Sequence, residues 1–134
     1  LVGSEMCIRD SLVGKSVVPF AKFYNIAPEA ILIAHDELDM NPGVIRLKTG
    51  GGHGGHNGLR DIVPHIGPNF HRLRIGIGHP GSKERVSGHV LSKAPSNEQN
   101  LMDDAIHHAL ARTKMLVNGE IQPAMNQINA YKPN

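Results

Sequence analysis

The sequence predicts an α/β domain with a mixed sheet, because strand-type and helix-type patterns interleave along it. Three observations carry this: a continuous apolar run of strand length at residues 30–34, two stretches at 44–48 and 71–77 that alternate apolar and basic residues, and helical spacings between and after them. With 134 residues, 40% apolar and 19% charged, the chain has room for one domain of ordinary globular composition.

Val17, Val18, Phe20, Ala21, Phe23 and Tyr24 recur at helical spacing, which predicts a short helix beginning near Ser16, with Pro19 suited only to its first turn. The run Ala30-Ile31-Leu32-Ile33-Ala34 reads as a strand buried on both faces, ending in His35-Asp36-Glu37-Leu38-Asp39. Asn41-Pro42-Gly43 signals a turn into a strand with Ile45 and Leu47 on one face and Arg46 and Lys48 on the other. Gly50-Gly51-Gly52-His53-Gly54-Gly55-His56-Asn57-Gly58 follows, a backbone free to approach a ligand closely. Leu59, Ile62, Val63 and Ile66 then predict a helix with Asn57 as its N-cap. In the next strand Leu73, Ile75 and Ile77 oppose Arg72 and Arg74. Ser96-Asn97-Glu98-Gln99 reads as a capping box opening a helix that stops at Asn118-Gly119, and a last helix through Ile121, Met125 and Ile128 packs beside it.

A single cysteine, Cys7, excludes an intrachain disulfide and fits a reducing cytoplasm. No apolar run reaches the roughly 18 residues of a membrane span, and no secretory signal is readable. The net charge of +2 is small, so any polyanion binding must come from local clustering. Arg46, Lys48, Arg72, Arg74, Lys83 and Arg85 form such a cluster on strand faces and the loop after them, although six solvated cations would look the same.

Other chemistries fit poorly. Gly76-Ile77-Gly78-His79-Pro80-Gly81 matches G-x-G-x-x-G, but Pro80 and the polar residues after it do not open the required helix. The glycine loop lacks the Gly-Lys-Ser/Thr ending of a Walker loop. His53 and His56 stand three apart but share no fixed face, and His107 and His108 diverge on a helix, so no metal site is expected. Asp36, at the end of a strand, can orient a catalytic imidazole or be satisfied by loop amides.

Three segments together, Ala34-His35-Asp36-Glu37-Leu38-Asp39, the loop from Gly50 to Leu59, and Asn69-Phe70-His71-Arg72-Leu73-Arg74-Ile75-Gly76-Ile77-Gly78-His79-Pro80-Gly81, closely resemble the bacterial-type peptidyl-tRNA hydrolase family in order and spacing. The resemblance runs from about Gly14 to the C-terminus. It implies a three-layer α/β/α fold and a monomer in the cytoplasm that hydrolyses the ester joining a peptide to tRNA, with no metal or organic cofactor and no obligate protein partner. Asp36 matches the aspartate that holds and polarises the family's general-base histidine, and Asn57 the asparagine that positions substrate and water. His56 and Gly54 fall in the substrate-binding loop, while Arg74 and Lys83, flanked by Arg46 and Lys48, match the basic surface for tRNA phosphate.

The chain also departs from the family. The resemblance places the base after a glycine-asparagine-proline-glycine segment, and none of the nine histidines matches it. Asp10 and Ser11 stand where methionine and asparagine are expected before Gly14-Lys15, so residues 1–11 read as a non-native leader and 12–134 as the C-terminal portion of one hydrolase domain lacking its N-terminal strands. Loss of a central strand would uncover apolar faces and ladder groups, so the chain as written is expected to show little or no hydrolase activity. The alternative is a non-catalytic RNA-binding relative that kept only the basic surface.

Overall fold

The structure, a computed structural model, describes residues 13–52, 57–79 and 95–133. Helix α1 is Val13–Phe23, followed by a 3₁₀ turn Pro28–Ala30, strands β1 Leu32–Glu37 and β2 Ile45–Thr49, helix α2 Asn57–Ile66 and strand β3 His71–Gly76. Helices α3 Ser96–Leu110, α4 Thr113–Val117 and α5 Ile121–Asn129 complete the order.

The sheet runs β1-β3-β2. His71 N donates to Ile31 O at 2.9 Å and Ile77 N to Glu37 O at 3.1 Å, so the partners advance together and β3 is parallel to β1. Gly50 N donates to Phe70 O at 3.1 Å and Gly76 N to Val44 O at 2.8 Å, so β2 is antiparallel. The α/β class and the mixed sheet therefore stand as expected.

The described chain forms two compact units, the first within Leu1–Ile33 and Thr49–Arg72, the second within Ala34–Lys48 and Leu73–Asn134. In the first, Leu59 and Ile62 from α2 meet Phe70, with Ile31, Ile33, Val63 and Ile66 around them. Complete burial of each such side chain is worth about 1.5–3 kcal/mol. Helix α1 packs on α2 and buries Val18 and Ala21. In the second unit Ile45 and Leu47 are buried, as are Met102, Ala105 and Ala109 along one stripe of α3 and Ala124 and Ile128 on α5.

Between β1 and β2, Val44 N closes on Asn41 O at 3.1 Å, and Gly43 has a φ of +88°. Pro42 and Gly43 thus fill the central positions of a type II turn. A Cβ at residue 43 would also stand 2.9 Å from Leu101 Cβ, so glycine is required twice over.

Several expectations need correction. Helix α1 begins at Val13, so Pro19 lies inside it and not in its first turn. Strand β1 is not buried on both faces: Leu32 and Ile33 are half-buried and Ala34 is exposed, and only His35 along it is buried. Asn57 is the first residue of α2 and not the residue before it. Pro95 occupies the N-cap of α3 and makes no side-chain cap bond, which leaves Ser96 within the first turn and removes the capping box.

The long helix predicted from Ser96 to Asn118 also breaks in two. At the break Arg112 N bonds Ala109 O at 3.0 Å, a tighter i to i−3 closure, while Thr113 Oγ1 donates to Leu110 O and Arg112 Nη1 to His108 O, both at 2.8 Å. These side chains satisfy carbonyls that a continued helix would have used.

Candidate functional site

In the second unit, β1 delivers His35, Asp36 and Glu37 in succession. His35 is only 5% exposed, and its Nδ1 donates to the Asp36 main-chain carbonyl at 2.8 Å. A carbonyl only accepts, so that bond requires the proton on Nδ1. Asp36 is half-buried. Successive strand side chains point to opposite faces, so Asp36 and Glu37 diverge.

Glu37 meets Arg74 of β3, with Arg74 Nη2 at 3.2 Å from Glu37 Oε1 and side-chain exposures of 32% for the arginine and 13% for the glutamate. The cation assigned to tRNA therefore arrives already paired. Arg46, half-buried on β2, bonds its neighbour's carbonyl, Ile45 O, through Nη1 at 2.8 Å, and Lys48 is exposed. Alternation on β2 is as read from the sequence, with Ile45 and Leu47 inward.

The first unit holds the start of the glycine loop. Gly50 and Gly51 have φ of +75° and +96°, a region other residues adopt only with strain. His71 Nε2 donates to Glu29 O at 2.8 Å, and its Nδ1 shares a hydrogen bond with Thr49 Oγ1 at 2.7 Å. One imidazole thus ties the end of β2, the start of β3 and the 3₁₀ turn.

Arg72 corrects the picture of a solvated basic face. It is 2% exposed, and its guanidinium bonds the carbonyls of Gly51, Gly52 and Pro68. Burial strips water from the ion and lowers its pKa from the ordinary value. Asn57 opens α2, but its carboxamide lies outside what the structure describes. Gly54, His56 and Lys83 lie outside the described residues, as do His53, Arg85 and residues 1–11.

Two residues were missed from sequence. Glu37 had no assigned role, because only the parallel register of β1 and β3 brings it to Arg74. Arg72 was grouped with Arg74 by alternation, and what separates the two is the neighbours: carbonyls of Gly51, Gly52 and Pro68 surround Arg72, while Arg74 keeps 32% of its side chain exposed. Among the described residues no three His, Cys, Asp or Glu side chains gather to hold a metal ion, and no helix is long and apolar enough to cross a membrane.

The family model described as peptidyl-tRNA hydrolase matches residues 11–134. A peptidyl-tRNA hydrolase of Acinetobacter baumannii (strain AYE) is 86% identical over 120 residues, covering 90% of this chain and 62% of its own length. One from Pectobacterium carotovorum is 57% identical over 125 residues, covering 92% of this chain and 64% of its own. The crystal structure of peptidyl-tRNA hydrolase from Acinetobacter baumannii superposes with a TM-score of 0.91 at 84% identity, covering 92% of this chain and 63% of that one. The chain thus spans a little under two thirds of the length of these relatives.

Proposed function

Because the chain belongs to the peptidyl-tRNA hydrolase family, we propose that it supplies the carboxylate, amide and cationic surface of an enzyme that cleaves the ester between a peptide and tRNA. The observation that carries this reading is 86% identity over 120 residues to a protein named for that reaction. The relatives are named as hydrolases, which favours the enzyme over a non-catalytic RNA binder.

An ester to a ribose oxygen has a fair leaving group, so a positioned general base and hydrogen bonds to the developing oxyanion suffice. In this reading Asp36 accepts the second N–H of the base imidazole, favouring its protonated form once it has taken a proton from water. Asn57 orients water and substrate with His56 and Gly54 beside it. Arg46, Lys48, Arg74 and Lys83 contact tRNA phosphate, and Arg74 does so while sharing its charge with Glu37. The enzyme would act as a cytoplasmic monomer on peptidyl-tRNA.

Peptide release from a purified peptidyl-tRNA tests this. The chain as written should release little. The chain extended with the family's histidine-bearing N-terminal segment should turn over, and Asp36→Asn should lower kcat at least about tenfold with tRNA affinity nearly unchanged. tRNA binding without release from the extended chain would favour the RNA-binding alternative, and equal losses of rate and affinity would remove the role given to Asp36.

A further inference from the structure

Arg72 is buried to a degree that phosphate contact does not explain. Its Nη1 donates to Gly52 O, and its Nη2 donates to Gly51 O at 2.6 Å and to Pro68 O at 3.0 Å. The guanidinium carbon lies 4.4 Å from the centroid of the Phe70 ring. Among the described residues no carboxylate pairs with it, and its Nε has no hydrogen-bond partner.

Taking an ion out of water without a counter-charge is unfavourable, and an apolar side chain of similar length would fill the space more cheaply. What only a guanidinium supplies is a rigid planar fork of donors, able to hold several carbonyls at one fixed spacing. Here it joins two segments, the glycine pair at 51 and 52 and the turn at Pro68. The glycine pair lies in a run of three glycines whose backbone has no Cβ to restrict it, with positive φ at Gly50 and Gly51. Phe70, beneath the guanidinium, is fully buried with Leu59 and Ile62 of α2, the helix that Asn57 opens. The backbone leading into the loop and the helix leaving it are therefore both fastened to the Phe70-His71-Arg72 stretch.

We propose that Arg72 is a positioning residue: its guanidinium sets the start of the glycine loop, and with it the place of Asn57, without touching substrate. The site role rests on the reading of Asn57 given above. The clamp itself does not.

Two measurements on Arg72→Lys and Arg72→Met separate these. In the chain as written, amide hydrogen exchange at Gly50, whose N–H bonds Phe70 O, should accelerate at least about tenfold, while exchange at Leu47, held by Asn129, stays unchanged. Unchanged exchange at Gly50, or equal acceleration at both amides, overturns the clamp.

In the extended chain kcat should fall at least about tenfold, with KM and the salt dependence of tRNA affinity held within twofold. An unchanged kcat overturns the site role, as does a loss of affinity with a flatter salt slope, which would make Arg72 a phosphate contact. If Arg72→Met does not fold, Arg72→Lys decides both, since it keeps the charge and loses the planar fork. If the unsubstituted extended chain releases no peptide, the hydrolase reading fails and takes the site role with it, and Gly50 exchange then judges the clamp alone.

Discussion

An arginine held 3.2 Å from a carboxylate offers a phosphate less than a solvated one, because binding must overcome an attraction already formed. The Arg74–Glu37 pair is partly exposed, so that attraction is worth about 1 kcal/mol or less. Glu37→Gln removes the competing charge and keeps the shape. It should strengthen tRNA binding up to about fivefold and steepen the dependence of log affinity on log salt by up to about 0.9, measured by fluorescence anisotropy across a salt series. Weaker binding instead would mean that Glu37 aims Arg74 and does not compete for it. At this scale the sequence was legible where residue type alone decides, as for Ile45 and Leu47 inward with Lys48 outward. It was not legible where a partner decides: a parallel register brings Glu37 to Arg74, and the carbonyls of Gly51, Gly52 and Pro68 turn Arg72 from surface cation to buried clamp.

Strand β2 is an edge in the described sheet, and an edge leaves ladder groups in need of partners. Asn129, the last residue of α5, takes both groups of one residue: Leu47 N donates to its Oδ1 at 2.7 Å, and its Nδ2 donates to Leu47 O at 3.2 Å. Leu47 is 2% exposed, so water cannot easily replace the amide. Asn129→Ala should cost about 1–3 kcal/mol, seen as a lower urea midpoint at unchanged slope. A loss below about 0.5 kcal/mol would show that the freed groups find other partners. Element types followed from period and turn chemistry: α2 from Leu59, Ile62, Val63 and Ile66, and the turn into β2 from Asn41-Pro42-Gly43. Ends were less readable, because Pro95 displaced Ser96 from the cap and Arg112 with Thr113 ended α3 early.

For the whole molecule, 14 basic against 12 acidic residues leave a net charge of only +2, too little to hold a polyanion by bulk attraction. If tRNA binding exists it must come from where cations stand, and a salt series can tell placement from mere number. Each phosphate contact released on binding contributes about 0.7–0.9 to the slope of log affinity against log salt. Lys48 is exposed at the end of the alternating basic face of β2, next to Thr49 and the glycine loop in sequence. Lys114 and Lys132 are also exposed, but lie on α4 and beyond α5, among helices assigned no part in binding. Lys48→Ala should therefore weaken tRNA binding severalfold and flatten the slope by about 0.7–0.9, while Lys114→Ala and Lys132→Ala leave both within error. Equal losses from all three would mean that tRNA feels only the summed charge, and the phosphate surface assigned to Arg46, Lys48 and Arg74 would have to be given up. Arg72 provides the internal contrast, since a cation that is 2% exposed should leave the slope where it is.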